Sequence, residues 1–599
     1  MSLNSVSSTL SLIGRLFDTR QVMRPLIPDT SDKPACRRTD IRQPFLRVRP
    51  EEEGIPSAHV ASFLSEIAAD ETLNMHSILI LRHGRMIAEA AFGDTDPRIW
   101  KCTFSACKSI TSLAIGLLIA EGKLSPEDKL TDLFDSRIPA LSRIAVRDLT
   151  VRHLLTMSTG ASFNEISMMT ERDWVKGYFS GSFDSGRFAY NSLNTYLLSV
   201  ILTEKTGQSL TDYLRPRLFE PLGISGYYWE KSPAGIEKGG WGLYMRPEDL
   251  AKIGQLVLQS GVWNGVQLIP AEWLEEAAHT RISTGEISAL YDYGYQIWTG
   301  RHRDSFLFNG MLGQNVLGMR ENGILLVSHA GNDELFQNSR YFTLAEEYFG
   351  RAFDDSLPPD DPSFTQLQSV LTSLRDPMPD APGTEKKRSL RRIFSRKTEE
   401  SPALPAECAL LNGVCFEADD DNAPGAGLMP AVLQAVQNNY AAGLQSVSFL
   451  LSGQAFYMTY AVENESYFLR IGFTGSEESA LTFGGVPYLV KTRGEFTRNE
   501  DGEPLLKLRI QFCETPLTRT LKLYYTGDHP RLLQSERPGA SFISSKVLKI
   551  KRDLITAPLI GETLSRVDDD YLRYRIEKKF APALTLRPSR ILPKTSRKG

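Results

Sequence analysis

Four things are scarce in this chain of 599 residues. Cysteine is the first: six copies, at 36, 102, 107, 408, 415 and 513, with no C-x-x-C pair. That excludes a disulfide framework and a cysteine-rich metal site. Cys102 and Cys107 read as small buried fillers. Histidine is the second. Its eight copies include no H-x-x-x-H pair, so neither a metal nor any other cofactor is expected. Charge of one sign is the third. The formal net charge is −4, which gives no reason to expect nucleic acid as a partner. Long apolar runs are the fourth. The stretch 113–120 is among the longest and falls far short of a membrane span. The first residues lack a basic segment ahead of their apolar positions and do not read as a secretory signal, so a cytoplasmic location is expected. Residues 1–19 read as a frayed tail, with a short amphipathic helix as the alternative.

What is present starts with size. A chain of this length exceeds one ordinary core, and two or more domains are expected. Hydrophobic residues at 41% and charged residues at 23% are ordinary for a globular protein. The most informative stretch is Ser105-Ala106-Cys107-Lys108, at the start of an apolar helical run over 110–119. Three-residue spacing on a helix puts both side chains on one face, about one turn apart. A serine hydroxyl is a weak nucleophile until a neighbour takes its proton, and a desolvated lysine can take it. About two Ser-x-x-Lys tetrapeptides are expected by accident in a chain this long. This chain has only the one.

The neighbouring stretches 77–89, 104–116, 121–130 and 151–160, then 188–195, 240–250, 263–270 and 293–298, carry a resemblance in their order. Together they are similar to the beta-lactamase-related serine hydrolases, which include class C beta-lactamases, D-alanyl-D-alanine carboxypeptidases, esterases and nylon-oligomer hydrolases. The resemblance covers roughly residues 45–350. It implies an α+β fold, an antiparallel five-stranded sheet with a helical subdomain and the site between them.

The resemblance also implies roles. Ser105 is the candidate nucleophile and Lys108 its proton acceptor. Tyr190, in Tyr190-Asn191-Ser192, is the candidate catalytic tyrosine, since a phenolate beside a lysine can relay protons. Ser192 and Asn194 are candidates to hydrogen-bond Lys108 or the substrate, or else to brace the loop. The family's Lys-Thr-Gly or His-Thr-Gly strand motif is missing. Two stretches compete for its place. One is Asn309-Gly310-Met311, on the strand ending Gly-x-x-Gly-Gln at Gln314, with Gly310 admitting a close backbone approach and the Met311 N–H as second oxyanion donor. The other is His329-Ala330-Gly331. The first is preferred, and His329 then reads as a strand-end residue. The expected activity is hydrolysis of a small ester or amide through an acyl-serine. The alternatives are a D-amino-acid peptidase or beta-lactamase, and a pseudoenzyme whose β region binds a partner.

Punctuation and periodicity divide the chain into an N-terminal extension, 1–44, and a hydrolase unit, 45–375. A charged, Pro-containing linker, 376–406, and a β-rich unit, 407–599, follow. Helices are expected over 56–69, 364–374 and 565–580, and a hairpin over 76–81 and 85–91. Single strands are expected over 291–298, 306–319 and 323–329. The β-rich unit reads as a barrel or a sandwich, with no catalytic constellation and no ligand indicated. The linker predicts few contacts between the units, and a chain ending near residue 375 is expected to fold and work alone.

Overall fold

The computed structural model describes residues 31–163, 168, 171–333, 339–375, 404–419, 426–437, 439, 442–527, 529–539, 544, 548, 551 and 568–590. The candidate tail 1–19 and all of the candidate linker up to residue 403 lie outside the described residues.

Helix α1 (Ser57–Ala69) buries Val60, Ala61, Phe63, Leu64 and Ile67, the one-face spacing that marks an amphipathic helix. A hairpin follows, β1 (Met75–Arg82) and β2 (Arg85–Ala91), turning at His83 and Gly84. A two-residue strand, β3 (Lys101–Cys102), leads into α2 (Cys107–Ala120). Helix α2 is buried at every position from 107 to 116, which makes it a central helix rather than a surface one. Helix α3 (Ser192–Thr206), β4 (Tyr227–Trp229), β5 (Leu243–Met245) and α4 (Pro247–Leu258) come next. The unit closes with β6 (Tyr291–Tyr293), β7 (Trp298–Gly300), β8 (Ser305–Gly310), β9 (Gln314–Met319), β10 (Ile324–Ala330), α5 (Arg340–Phe349) and α6 (Asp361–Leu374).

The main sheet is antiparallel, in the order β2-β1-β10-β9-β8-β7-β6. It has seven strands where the resemblance implied five. The strand expected over 291–298 is two short ones, because Gln296 takes a φ of 62° and Gly294 N–H bonds the Ile297 carbonyl at 2.8 Å. The strand expected over 306–319 is also two, turned by Leu312 at a φ of 67° and Gly313 at 95°. Leu79, Leu81, Phe306, Phe308, Val316, Leu325 and Val327 face α2 and α4 in one core. Ile78, Ile80, Leu307, Leu317 and Leu326 face α1, α5 and α6 in another. No helix among the described residues is long and apolar enough to cross a membrane.

The C-terminal unit contains β11 (Val414–Ala418), α7 (Ala431–Gln437), β12 (Leu444–Ser452), β13 (Ala455–Val462) and β14 (Ser466–Ile471). Then come β15 (Glu477–Phe483), β16 (Val486–Arg498), β17 (Pro504–Phe512), β18 (Thr518–Tyr524) and β19 (Arg531–Arg537). Helix α8 (Asp569–Phe580) and β20 (Ala583–Arg590) complete it. These ten strands form one sheet, β14-β13-β12-β11-β20-β19-β18-β17-β16-β15. Its two ends come together: Gly472, just after edge strand β14, bridges Arg493 of β16 and accepts from Gly494 N–H at 2.7 Å, and Arg470 N–H of β14 donates to Ser479 Oγ of the other edge strand, β15, at 3.0 Å. The sheet is therefore a nearly closed barrel rather than a sandwich. Inward residues alternate with outward ones, and Leu428, Met429, Val432 and Leu433 fill its interior.

The expectation of few contacts between the units is not met. Ile99, Trp100, Cys102, Phe104, Tyr244 and Leu312 of the hydrolase unit belong to the same apolar core as the barrel interior. Polar links cross as well. Lys33 pairs with Glu514 at 2.6 Å with neither side chain exposed, and Gln437 donates to Glu230 at 2.7 Å. Linker composition describes only the covalent path between units, not the surfaces that meet elsewhere.

Candidate active site

The site begins at β3. Cys102 leads through Thr103 into a single 3-10 turn, Phe104–Ala106, before α2 starts. Thr103 is fully buried and tied to the Leu243 carbonyl twice, by its N–H at 2.8 Å and its hydroxyl at 3.0 Å. Phe104 has a φ of 45°. A bulky side chain in left-handed backbone is strained by about 1–3 kcal/mol, and persists only where the surroundings over-determine it. The next residue is Ser105, half-buried. Cys107 is the first residue of α2, fully buried, its Sγ 3.1 Å from the Phe104 carbonyl. Burial pushes its thiol up to about 12, so it stays neutral beside the serine. Cys102 is equally buried.

Lys108 Nζ lies 2.9 Å from Ser105 Oγ, 3.1 Å from Ser192 Oγ and 2.5 Å from the Gly240 carbonyl oxygen. The carbonyl can only accept, so it takes one N–H whether the amine is neutral or charged. The hydroxyl of Ser105 can accept from an ammonium or donate to a neutral amine. Lys108 Nζ also sits 5.1 Å from the centroid of the Tyr190 ring. That ring stacks on Trp298, 6.0 Å between centroids and 25° between planes. The loop carrying Tyr190 is anchored on both sides. Ala189 N–H bonds the Met157 carbonyl at 2.8 Å. Asn191 caps α3, accepting from Leu193 N–H at 2.9 Å and donating to the Phe163 carbonyl at 2.8 Å.

The third edge of the site is the end of β8. A Cβ at Gly310 would collide with the Thr103 carbonyl, so only glycine lets β8 pass this close to the turn that carries Ser105. Met311 follows in the turn to β9, and Gln314 holds that turn by donating to the Ala330 carbonyl at 2.6 Å. Asn309 is buried opposite Asn315, and its carboxamide has no hydrogen-bond partner among the described residues.

Two candidates stand elsewhere. The carboxamide oxygen of Asn194 accepts from Tyr178 at 2.7 Å and Thr159 at 3.0 Å. Asn194 thus braces the helical layer, not Lys108: it lies two positions after Ser192 on α3, about 200° round the helix. His329 is on β10, two strands from β8, paired with Ser77 of β1. Burial, with Lys101 adding, depresses its imidazole to about 3.

Sequence reasoning missed three groups. The Gly240 carbonyl is one; the stretch 240–250 drew notice only as a family segment, and a backbone acceptor leaves no mark on side-chain patterns. Gln296 is the second. Its side chain accepts from Thr195 at 2.6 Å and donates to the Leu154 carbonyl at 2.8 Å, while its own carbonyl accepts from Ser109 at 2.8 Å. It ties α2 to α3 beside the residues that carry Lys108 and Ser192. It is fully buried, which nothing in the sequence announced. Glu514, on the barrel, is the third. No group of His, Cys, Asp and Glu that could hold a metal occurs among the described residues.

A family model described as Beta-lactamase matches residues 63–336. A 6-aminohexanoate-dimer hydrolase of Paenarthrobacter ureafaciens is 25% identical over 280 residues, 40% of this chain and 68% of that protein. Penicillin-binding protein 4* of Bacillus subtilis is 25% identical over 186 residues, 26% of this chain and 39% of that protein. The chain thus spans about two thirds of one of these relatives and well under half of the other. Among solved structures, the D-amino acid amidase from Ochrobactrum anthropi SV3 aligns with a TM-score of 0.39 at 17% identity, covering 48% of this chain and 97% of that one.

Proposed function

We propose, from the premise that residues 63–336 belong to the beta-lactamase family of serine hydrolases, that this chain hydrolyses a small ester or amide through an acyl-serine at Ser105. The observation that carries the reading is the position of Lys108 Nζ, 2.9 Å from Ser105 Oγ and 5.1 Å from the Tyr190 ring centroid.

The steps follow from these atoms. A neutral Lys108 amine accepts the Ser105 hydroxyl proton as Oγ bonds to the substrate carbonyl carbon. The carbonyl oxygen becomes an oxyanion, held by the N–H groups of Ser105 and Met311. The intermediate collapses, and the leaving alcohol or amine takes a proton through Tyr190, which recovers one from Lys108. A water then attacks the acyl-serine and gives its proton to the same pair, which returns a proton to Ser105 Oγ as the acyl–Oγ bond breaks and the acid leaves. Ser192 and the Gly240 carbonyl hold Lys108 in place through both halves.

The alternative, activity on beta-lactams or cell-wall peptides, is disfavoured at β8. The position two before the strand glycine holds Phe308, whose ring lies in the apolar core. A substrate carboxylate therefore meets no cation from that strand.

The test is intact-mass analysis after a fluorophosphonate or a slow ester. Wild-type protein is expected to carry one adduct on the peptide holding Ser105, and Ser105→Ala none, with turnover at background. An adduct on another serine overturns the assignment. Rapid turnover of a chromogenic cephalosporin, exceeding that of short-chain p-nitrophenyl esters, would restore the alternative.

A further inference from the structure

The barrel touches the strand that leads to Ser105. The loop between β17 and β18, residues 513–517, reaches into the hydrolase unit beside β3. Strand β3 pairs with β5 through Lys101 and Cys102. From the loop, the Glu514 carbonyl accepts from Cys102 N–H at 2.8 Å, and the Cys513 carbonyl accepts from Lys101 Nζ.

The Glu514 carboxylate is sealed in this contact. It accepts from Trp100 Nε1 at 2.6 Å and Leu489 N–H at 3.0 Å, and pairs with Lys33 at 2.6 Å. Lys33 in turn lies 4.7 Å from the Tyr488 ring centroid and 5.3 Å from that of Tyr244. A buried carboxylate with its oxygens satisfied from three directions fixes the geometry around it.

The loop also reaches the opposite side of the site. A Cβ at Gly331 would run into the Pro516 carbonyl. Asn332, next to Gly331, bonds the Leu312 carbonyl through its N–H at 3.1 Å. Leu312 follows Met311, and its side chain shares the barrel core with Phe104. The strained Phe104 turn and the Met311 turn are thus both held against the barrel, and Ser105 and the Met311 N–H are carried on those two turns.

We propose that loop 513–517 is a positioning element of the active site, setting Ser105 against its second oxyanion donor, and that Glu514 is its positioning residue, acting through Trp100 and Cys102. This rests on the reading of Ser105 as the nucleophile. The barrel's contribution is then to the rate of acylation, not only to the stability of the chain.

The experiment uses three full-length variants: Glu514→Ala, Glu514→Gln and Trp100→Phe. Each is compared with wild type for thermal midpoint, for the rate of fluorophosphonate acylation per folded molecule, and for KM and kcat on a p-nitrophenyl ester. Since a misplacement of order 1 Å costs on the order of 10²-fold in rate, Glu514→Ala is expected to slow acylation about tenfold or more, with KM little changed. Trp100→Phe, which removes one N–H and keeps an aromatic ring, is expected to slow it severalfold. Glu514→Gln keeps an acceptor for Trp100 and is expected to recover part of the loss. Wild-type acylation in Trp100→Phe and Glu514→Gln, with only the midpoint lowered, overturns the proposal; should Glu514→Ala fail to fold, those two variants decide. If wild type carries no label at Ser105, the nucleophile assignment has failed instead, and the two failures are distinct.

Discussion

The main sheet of the hydrolase unit and the barrel are both antiparallel, yet they bury themselves differently. Strands β1, β8, β9 and β10 are buried at every position, because helices cover both faces. Strand β14 alternates strictly, one residue in and the next exposed, because a barrel has one inside. Every position on those four hydrolase strands is therefore constrained, whereas only every second position on β14 is. One edge of the candidate site is the end of β8 on this doubly buried layer, where the backbone can be held to within a contact distance of the turn carrying Ser105. The barrel touches β3, the strand leading to Ser105, through one loop.

The largest test of this division removes the barrel. A chain ending at residue 375 leaves Trp100, Phe104 and Leu312 without the core they share with it. It is expected to be insoluble or inactive toward p-nitrophenyl esters. A soluble fragment with full-length kcat would show that the two regions are separable after all, as the linker composition suggested.

Next come the groups at the site. Lys108→Ala and Tyr190→Phe are each expected to lower kcat by roughly 10²–10⁴-fold, the usual contribution of a general acid–base group. The double variant should lose little more than the worse single one, because both act on one proton path. Additive losses in a kinetic cycle would separate their roles.

Stability measurements sharpen the comparison further. Leu325 and Leu326 are adjacent on β10 and face different cores. Alanine at either is expected to cost about 2–5 kcal/mol in urea unfolding. On β13, Met458→Ala should cost a similar amount, whereas its neighbour Thr459→Ala should stay within about 0.5 kcal/mol. Equal costs at Met458 and Thr459 would mean that the outer face of the barrel is covered too.

The last test is in pH. His329 is depressed to about 3 by burial, from an ordinary value of 6.5. Between those values the unfolded chain binds the proton and the folded chain does not, so stability falls as pH drops from 6.5 toward 3. Above 6.5 this contribution is constant. His76, also lowered by burial, acts in the same direction. The urea midpoint is expected to fall between pH 7 and pH 4.5, and less steeply in His329→Leu. An unchanged slope in that variant would point to His76 or the carboxylates as the source.

Legibility followed the same division. The Ser105–Lys108 pair was visible because helical spacing alone brings side chains three apart together. The barrel strands were visible because alternation survives without knowledge of partners. The close approach of Gly310 was expected toward the substrate; the atom it accommodates is the Thr103 carbonyl. Asn194 was left open between the site and bracing, because a motif spelling does not say which side of a helix meets the site; its bonds to Tyr178 and Thr159 are bracing ones. Gln296 and Glu514 were invisible for another reason. Their partners are remote in sequence, as with Lys101 and Cys513, 412 positions apart. Nothing in the chain near residue 100 announces that a barrel loop will lie against it.

One feature of the barrel sets the order of events during synthesis. Strand β20, 583–590, lies in the middle of the sheet, paired with β11 on one side and β19 on the other. Four strands lie beyond it on one flank and five on the other, and the free edges of those flanks come together at β14 and β15, where Arg470 N–H donates to Ser479 Oγ at 3.0 Å. The sheet is a zip whose slider arrives last. At about 5–20 residues per second, a ribosome takes tens of seconds to travel from Ser105 to that strand. Until residues 513–517 are made the turn carrying the nucleophile lacks its clamp, and until β20 is made the core that Phe104 shares with the barrel is incomplete. A chain interrupted before residue 590 is thus expected to be silent rather than half-active, and to depend on chaperones rather than on its own packing.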